Sequence, residues 1–141
     1  MATQYSVRRL IDAPIERVWS LLADVTEQAR WNDTLVSIEG EIAEGTTVAL
    51  VSKVNPKRTF KLQVSGVSAP NRMVWSDGMP LGLFKGTRTF ELKDVAGKTE
   101  FAMTEGYTGV LAGLITKSIP DMSESFGEYA DALERASEAA A

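Results

Sequence analysis

The chain of 141 residues contains no cysteine and no histidine. Without cysteine, disulfides and thiol chemistry are excluded. Without histidine, the commonest general base and the commonest metal ligand are both missing. Catalysis would fall to Asp, Glu, Lys, Arg, Tyr, Ser or Thr, none with an unperturbed pKa near neutrality. An excess of basic residues is also missing. The net charge is −4, which argues against nucleic acid as a partner. No apolar run approaches the ~20 residues of a membrane span, so no span is expected. Met1-Ala2-Thr3-Gln4 lacks the charged-then-apolar order of a signal peptide. A soluble, cytoplasmic protein is the expectation. With no internal repeat and no low-complexity linker, one domain over 1–141 is expected. A chain of this size buries roughly two-thirds of its unfolded surface, enough for a core without staples.

What is present is organised around the last stretch, Ser118 to Ser137. Ile119, Met122, Phe126, Tyr129, Leu133 and Ala136 recur at steps of three and four, one stripe of an α-helix. Ser118 as N-cap with Asp121 three residues on predicts a capping box. Pro120 either lies in the first turn, where it is tolerated, or bends a helix that already includes Gly109 to Lys117.

Ahead of this helix the period is mostly two. Tyr5 to Ile11 reads as a strand, with Arg9 interrupting an otherwise apolar face. Asp12 as N-cap and Pro14 in the first turn predict a helix at about 14–24. Further helical turns are expected over Thr26 to Arg30. Strands follow at Leu35–Ile42, Thr46–Val54, Phe60–Ser65, Met73–Asp77, Phe84–Lys93 and Lys98–Tyr107, separated by turn-forming residues. Gly66 inside a strand pattern marks a bulge. Strands in hairpin succession imply an antiparallel sheet, hence an α+β fold of six to seven curled strands with the long helix across them. Such a sheet can leave a space beneath the helix.

These residues resemble a known family. Ile11-Asp12-Ala13-Pro14-Ile15-Glu16-Arg17-Val18-Trp19 resembles the opening of SRPBCC (START-like) domains, where this pattern leads from the first strand into the first helix. Trp31 resembles the tryptophan after the paired short helices. Gly82 to Gly86 with Thr89-Phe90-Glu91-Leu92, and Gly97-Lys98-Thr99-Glu100-Phe101, resemble the sixth strand and the return hairpin. The branch most similar is the polyketide cyclase/dehydrase and lipid-transport-like group. The resemblance implies a helix-grip fold with an apolar cavity between sheet and C-terminal helix. It spans carriers, receptors, aromatase/cyclases and co-chaperones, so it does not imply an activity.

Alternation places Phe84, Gly86, Arg88, Phe90 and Leu92 on one side of the sixth strand, and Phe101, Met103, Glu105 and Tyr107 on one side of the seventh. Arg88 and Glu105 are the charged exceptions. A tight hairpin puts them opposite each other or one diagonal step apart, within reach either way. The pair either plugs the cavity or meets a polar group of a ligand. Trp31, Leu62, Val64, Trp75, Met122, Phe126 and Tyr129 complete the expected wall. The expected partner is a small hydrophobic molecule, bound by a monomer or homodimer. No cofactor is expected: the glycines at 78, 82 and 86 do not have phosphate-loop spacing. Two alternatives compete with a carrier. One is an aromatase/cyclase-like enzyme in which Arg88 stabilises an enolate and Glu105 or Tyr107 moves protons. The other is a co-chaperone-like interaction module. The apolar residues Met79, Pro80, Leu81, Leu83 and Gly109–Ile115 suit a cavity entrance, a dimer contact or a closed lid.

Overall fold

The computed structural model describes residues 4–118 and 121–139. Seven strands form one antiparallel sheet: β1 (Gln4–Ile11), β2 (Leu35–Gly40), β3 (Thr47–Ser52), β4 (Phe60–Ser68), β5 (Arg72–Gly78), β6 (Lys85–Val95) and β7 (Lys98–Thr108). Their order across the sheet is β1-β7-β6-β5-β4-β3-β2. Every neighbour after β2 is a hairpin partner, and the first strand closes the far edge against the last. The sheet curls into a half-barrel around a C-terminal helix, α4 (Ser123–Glu138). The short helices α1 (Ile15–Leu22) and α2 (Val25–Trp31) link β1 to β2, and α3 (Ala112–Ile115) follows β7.

Local chemistry explains most boundaries. The β6–β7 hairpin turns at Ala96 and Gly97, both at positive φ, as a two-residue turn matched to strand twist requires. Gly66 is a bulge, as its place in the pattern predicts. Between Ser65↔Val74 and Ser68↔Arg72, β4 advances three residues against two on β5, with Gly66 at φ 59. The Asp24 carboxylate caps α2 by accepting the Glu27 N–H at 2.9 Å.

Two expected caps are not the ones used. Pro14, not Asp12, is the N-cap of α1, and its carbonyl accepts from Arg17 and Val18. The Asp12 N–H instead donates to the Glu138 carboxylate at 2.8 Å. The C-terminal helix begins at Ser123, later than its apolar stripe suggests. Ser118 ends a 3-10 turn (Thr116–Ser118), and the Asp121 carboxylate accepts the Ser123 N–H at 2.9 Å. Hydrogen bonds from the Ser123 N–H and hydroxyl hold Asp121 below the usual aspartate range. Ile119 and Pro120 lie outside the described residues, and so does the bend expected near Pro120.

The helix α4 is tied down at both edges. The Arg17 guanidinium donates to the carbonyls of Ser137, Ala136 and Ala139 at 2.9, 3.1 and 3.2 Å. That satisfies acceptors the helix end would leave open and sets a cation on the negative end of its dipole. Arg9, the apparent interruption in β1, donates to Asp131 at 2.9 Å. Phe126, Tyr129, Ala130 and Leu133 face the sheet and are buried. The packed core lies toward the β6–β7 turn, where Ile11, Val18, Leu22, Leu92 and Phe101 meet α4. Toward the opposite end of the sheet the helix and strands diverge.

Candidate functional site

A cavity of about 270 Å³ occupies that divergence, between the concave face of the sheet and the start of α4. Register aligns its polar centre. Arg88 faces Glu105 directly across β6–β7, with Trp75 beside Arg88 on β5 and Tyr5 beside Glu105 on β1. One step nearer the mouth, Gly86 lies between Asp77 and Tyr107. A methyl at Gly86 would touch the Asp77 carboxylate and the Tyr107 ring at 3.5 Å, so the glycine keeps the space between them open.

Arg88 Nε donates to Glu105 Oε1 at 2.9 Å, and the Tyr107 hydroxyl donates to Glu105 Oε2 at 2.5 Å. The Arg88 and Glu105 side chains are 20% and 17% exposed. The Arg88 guanidinium also sits over the Phe126 ring, 4.9 Å from its centroid. Burial works against the Arg88 charge, but the Glu105 carboxylate and the phenols of Tyr129 and Tyr107 more than offset it, leaving the group above its ordinary pKa. Among the described residues, the four N–H donors on the terminal nitrogens of Arg88 have no protein acceptor. The pair is therefore closed on one side only.

Burial, then the Glu105 charge and hydrogen bond, push the Tyr107 phenol well above the ordinary tyrosine range. Burial also raises Tyr129, partly opposed by Arg88 and Gln28. Asp77 is raised by burial, with Arg58 opposing and Glu105 adding to the shift. The indole N–H of Trp75 is buried without a hydrogen-bond partner among the described residues.

A second polar patch lies on the opposite wall. Gln28 Nε2 donates to the Leu22 carbonyl at 2.6 Å, and Gln28 Oε1 accepts from Asn32 at 3.0 Å and from the Tyr129 hydroxyl at 3.5 Å. Asn32 Oδ1 accepts from the Thr34 hydroxyl at 2.7 Å. Each polar side-chain atom of this chain has a partner within the protein, which stiffens the wall.

Of the residues marked in the sequence, Leu62, Trp75, Phe84, Arg88 and Met103 line the cavity, together with Glu105, Tyr107, Met122, Phe126 and Tyr129. Trp31, Val64, Phe90 and Phe101 do not; they belong to the packed core. The reason is the position of Tyr129. Its ring contacts Trp31 edge-on at 5.3 Å and lies 6.2 Å from both Phe90 and Phe101, so it stands between these three and the space. Val64, paired across the sheet with Trp75, is fully enclosed. Gly86, which alternation puts on the same face as Arg88, also lines the cavity, whereas sequence reasoning missed Asp77, Arg58 and the Gln28–Asn32–Thr34 wall. Asp77 was within reach of it, since it lies two residues from Trp75 and must share its face.

A half-barrel grasping a C-terminal helix over a polar-centred apolar cavity defines a helix-grip ligand-binding class. The sequence of residues 2–138 matches the family described as polyketide cyclase/dehydrase and lipid transport, and the chain belongs to that family. The family and the fold together support a ligand-binding role. A search of the curated proteins finds no match. Solved structures share the fold at low identity. A protein from Mesorhizobium loti is 15% identical with a TM-score of 0.72, covering 95% of this chain and 96% of its own. One from Arthrobacter aurescens is 18% identical with a TM-score of 0.71, covering 94% and 84%. The Aha1 dimer from Colwellia psychrerythraea is 18% identical with a TM-score of 0.70, covering 96% of each chain. No helix among the described residues is long and apolar enough to cross a membrane.

Proposed function

We propose that the protein is a carrier or sensor of a small apolar molecule bearing one neutral oxygen acceptor, a carbonyl or a hydroxyl. The observation that carries this reading is the cavity of about 270 Å³ whose apolar walls converge on Arg88, with four N–H donors open to an acceptor. The volume is at the small end for organic ligands, and such sites use few, well-placed polar groups. A neutral acceptor is favoured over a carboxylate because an anion would face Glu105 and Asp77 while competing for a guanidinium already paired. Binding is favoured over turnover because Glu105 is occupied by Arg88 and Tyr107, and the upward shift of Tyr107 makes it a poor proton donor at neutral pH. The presence of a cavity favours a ligand over a purely protein-interaction role.

The test begins with native mass spectrometry of the purified protein against its denatured mass, to reveal any trapped molecule. A matched pair of fluorescent probes then follows: 2-acetyl-6-(dimethylamino)naphthalene, which carries a neutral ketone, and the corresponding naphthoate. Saturable binding of the ketone at one site per chain, tighter than the naphthoate, is expected. The double variant Arg88→Met/Glu105→Gln, which preserves volume and removes both charges, is expected to bind the ketone more weakly. Absence of both a bound mass and saturable probe binding refutes the reading.

A further inference from the structure

The cavity mouth is bordered by two loops that expose apolar side chains. Leu81 is 96% exposed, Val110 81% and Leu114 67%, with Met79 and Leu83 also exposed beside them. The two loops form one unit. The Leu111 N–H donates to the Leu83 carbonyl at 2.9 Å. Gly109, at φ 108, lets the backbones meet: a methyl there would stand 2.5 Å from the Leu83 carbonyl oxygen and 2.7 Å from that of Gly82. Leu81 itself holds a left-handed conformation, φ 63 and ψ 23, which is unfavourable for a leucine. The chain thus strains its backbone at a leucine that packs against almost nothing in the protein. Phe84 and Ile115, in the same loops, line the cavity, so the patch flanks the cavity's opening.

The charges within the two loops run against the balance of the whole protein, with Asp77 and Asp121 lying just outside them. The chain carries −4 overall, yet the segments 79–85 and 109–118 contain Lys85 and Lys117 and no acidic residue. The neighbouring β3–β4 loop adds Lys57 and Arg58, also without an acid. Lys85, Lys117 and Lys57 are exposed, and none takes part in an ion pair among the described residues. Lys53, by contrast, stands beside Asp121, Glu124 and Glu128 and is not counted in this ring.

We infer that the tips of these two loops, Leu81, Val110 and Leu114, with Lys85 and Lys117 behind them, dock the cavity mouth onto an anionic lipid surface. Apolar tips enter the headgroup boundary while the cations behind them meet anionic lipid, the pairing of forces that holds peripheral proteins on bilayers. A second copy of the chain is a poorer occupant, since a two-fold contact through this patch would set the same lysines against one another. The surface is separate from the Arg88 site, so the two readings fail independently.

The experiment is flotation of the full chain with vesicles of phosphatidylcholine alone or mixed with phosphatidylglycerol. Binding to the mixed vesicles, and far less to phosphatidylcholine alone, is expected. Removing the cations with Lys85→Ala and Lys117→Ala is expected to lower partitioning roughly five-fold per site. Leu81→Asp/Val110→Asp, both at exposed positions, is expected to abolish it while leaving thermal stability at or above the parental level and ketone-probe binding at the parental level. Undiminished flotation of the double aspartate variant, no flotation at all, or a parental dimer in solution that this variant dissociates each overturns the inference. Flotation of the parental protein without saturable ketone-probe binding would instead count against the cavity reading alone.

Discussion

Replacing Arg88 by methionine tests whether the cavity's charged centre is a tightly coupled, desolvated pair. The substitution keeps the aliphatic bulk near Phe126 and leaves Glu105 with Tyr107 as its hydrogen-bond donor among the described residues. Two unit charges at contact distance interact by ~4 kcal/mol at an effective dielectric near 20. Removing one member of a fully buried pair costs about 3–5 kcal/mol, because the other charge is stranded. Here the side chains keep 20% and 17% of their exposure, so water recovers part of the loss and ~2–3 kcal/mol is expected. For a chain of this length that is a fall in Tm of about 8 °C. Glu105→Gln alone is expected to cost a similar amount. Arg88→Met/Glu105→Gln together, leaving no charge to strand, is expected to return to within ~1 kcal/mol of the parent. Guanidinium denaturation followed by tryptophan fluorescence measures all four corners of the cycle. Additive costs in the double variant, or a single-variant cost below ~0.5 kcal/mol, would refute the coupling and leave Arg88 as a solvated side chain.

Three further outcomes follow from particular contacts. Gly86→Leu places a side chain between Asp77 and Tyr107, so a ligand that must displace it loses about 1–3 kcal/mol, the usual cost of overpacking, and probe titration should show affinity falling roughly ten-fold or more. Asp77 has its pKa raised in the folded state by burial, so the native protein holds more protons than the unfolded chain between the two pKa values, and this group's contribution to stability falls as pH rises through that window. Asp77→Asn should therefore raise Tm at pH 7 and leave it unchanged at a pH low enough to protonate the aspartate in both states. Ala96 sits at φ 52 in the β6–β7 turn, where alanine is strained, and Ala96→Gly is expected to stabilise the protein by ~1 kcal/mol in chemical denaturation.

Much of the architecture was legible in the residues because its causes are local. Alternation in Phe60-Lys61-Leu62-Gln63-Val64, the Gly66 bulge and a tight turn at about Val95–Gly97 involve neighbours in sequence, and they produce the same strands in the structure. Counting from that turn puts Arg88 and Glu105 opposite or one diagonal step apart, and the two-residue loop at Ala96-Gly97 makes them directly opposite. Caps were less legible, because a competing partner can come from far along the chain. The Asp12 backbone is claimed by Glu138, 126 residues away, and the end of α4 is capped by Arg17 from α1.

The division between packed core and open cavity lay beyond any periodicity. Phe90 and Arg88 share a face of one strand, and nothing in their spacing says that one is sealed and the other open. What decides it is where Tyr129 settles when α4 lies across the sheet. The ring covers Phe90, Phe101 and Trp31, and beyond it the sheet and the start of α4 enclose the cavity, with Phe126 against Arg88. By itself, the sequence determined the strands, the amphipathic final helix, the antiparallel order and the inward charged pair, since each depends on period and turn chemistry. Tertiary structure decided the gap, its lining and the joining of two apolar loops at its mouth, since these depend on the angle between helix and sheet and on backbone contacts between segments distant in the chain.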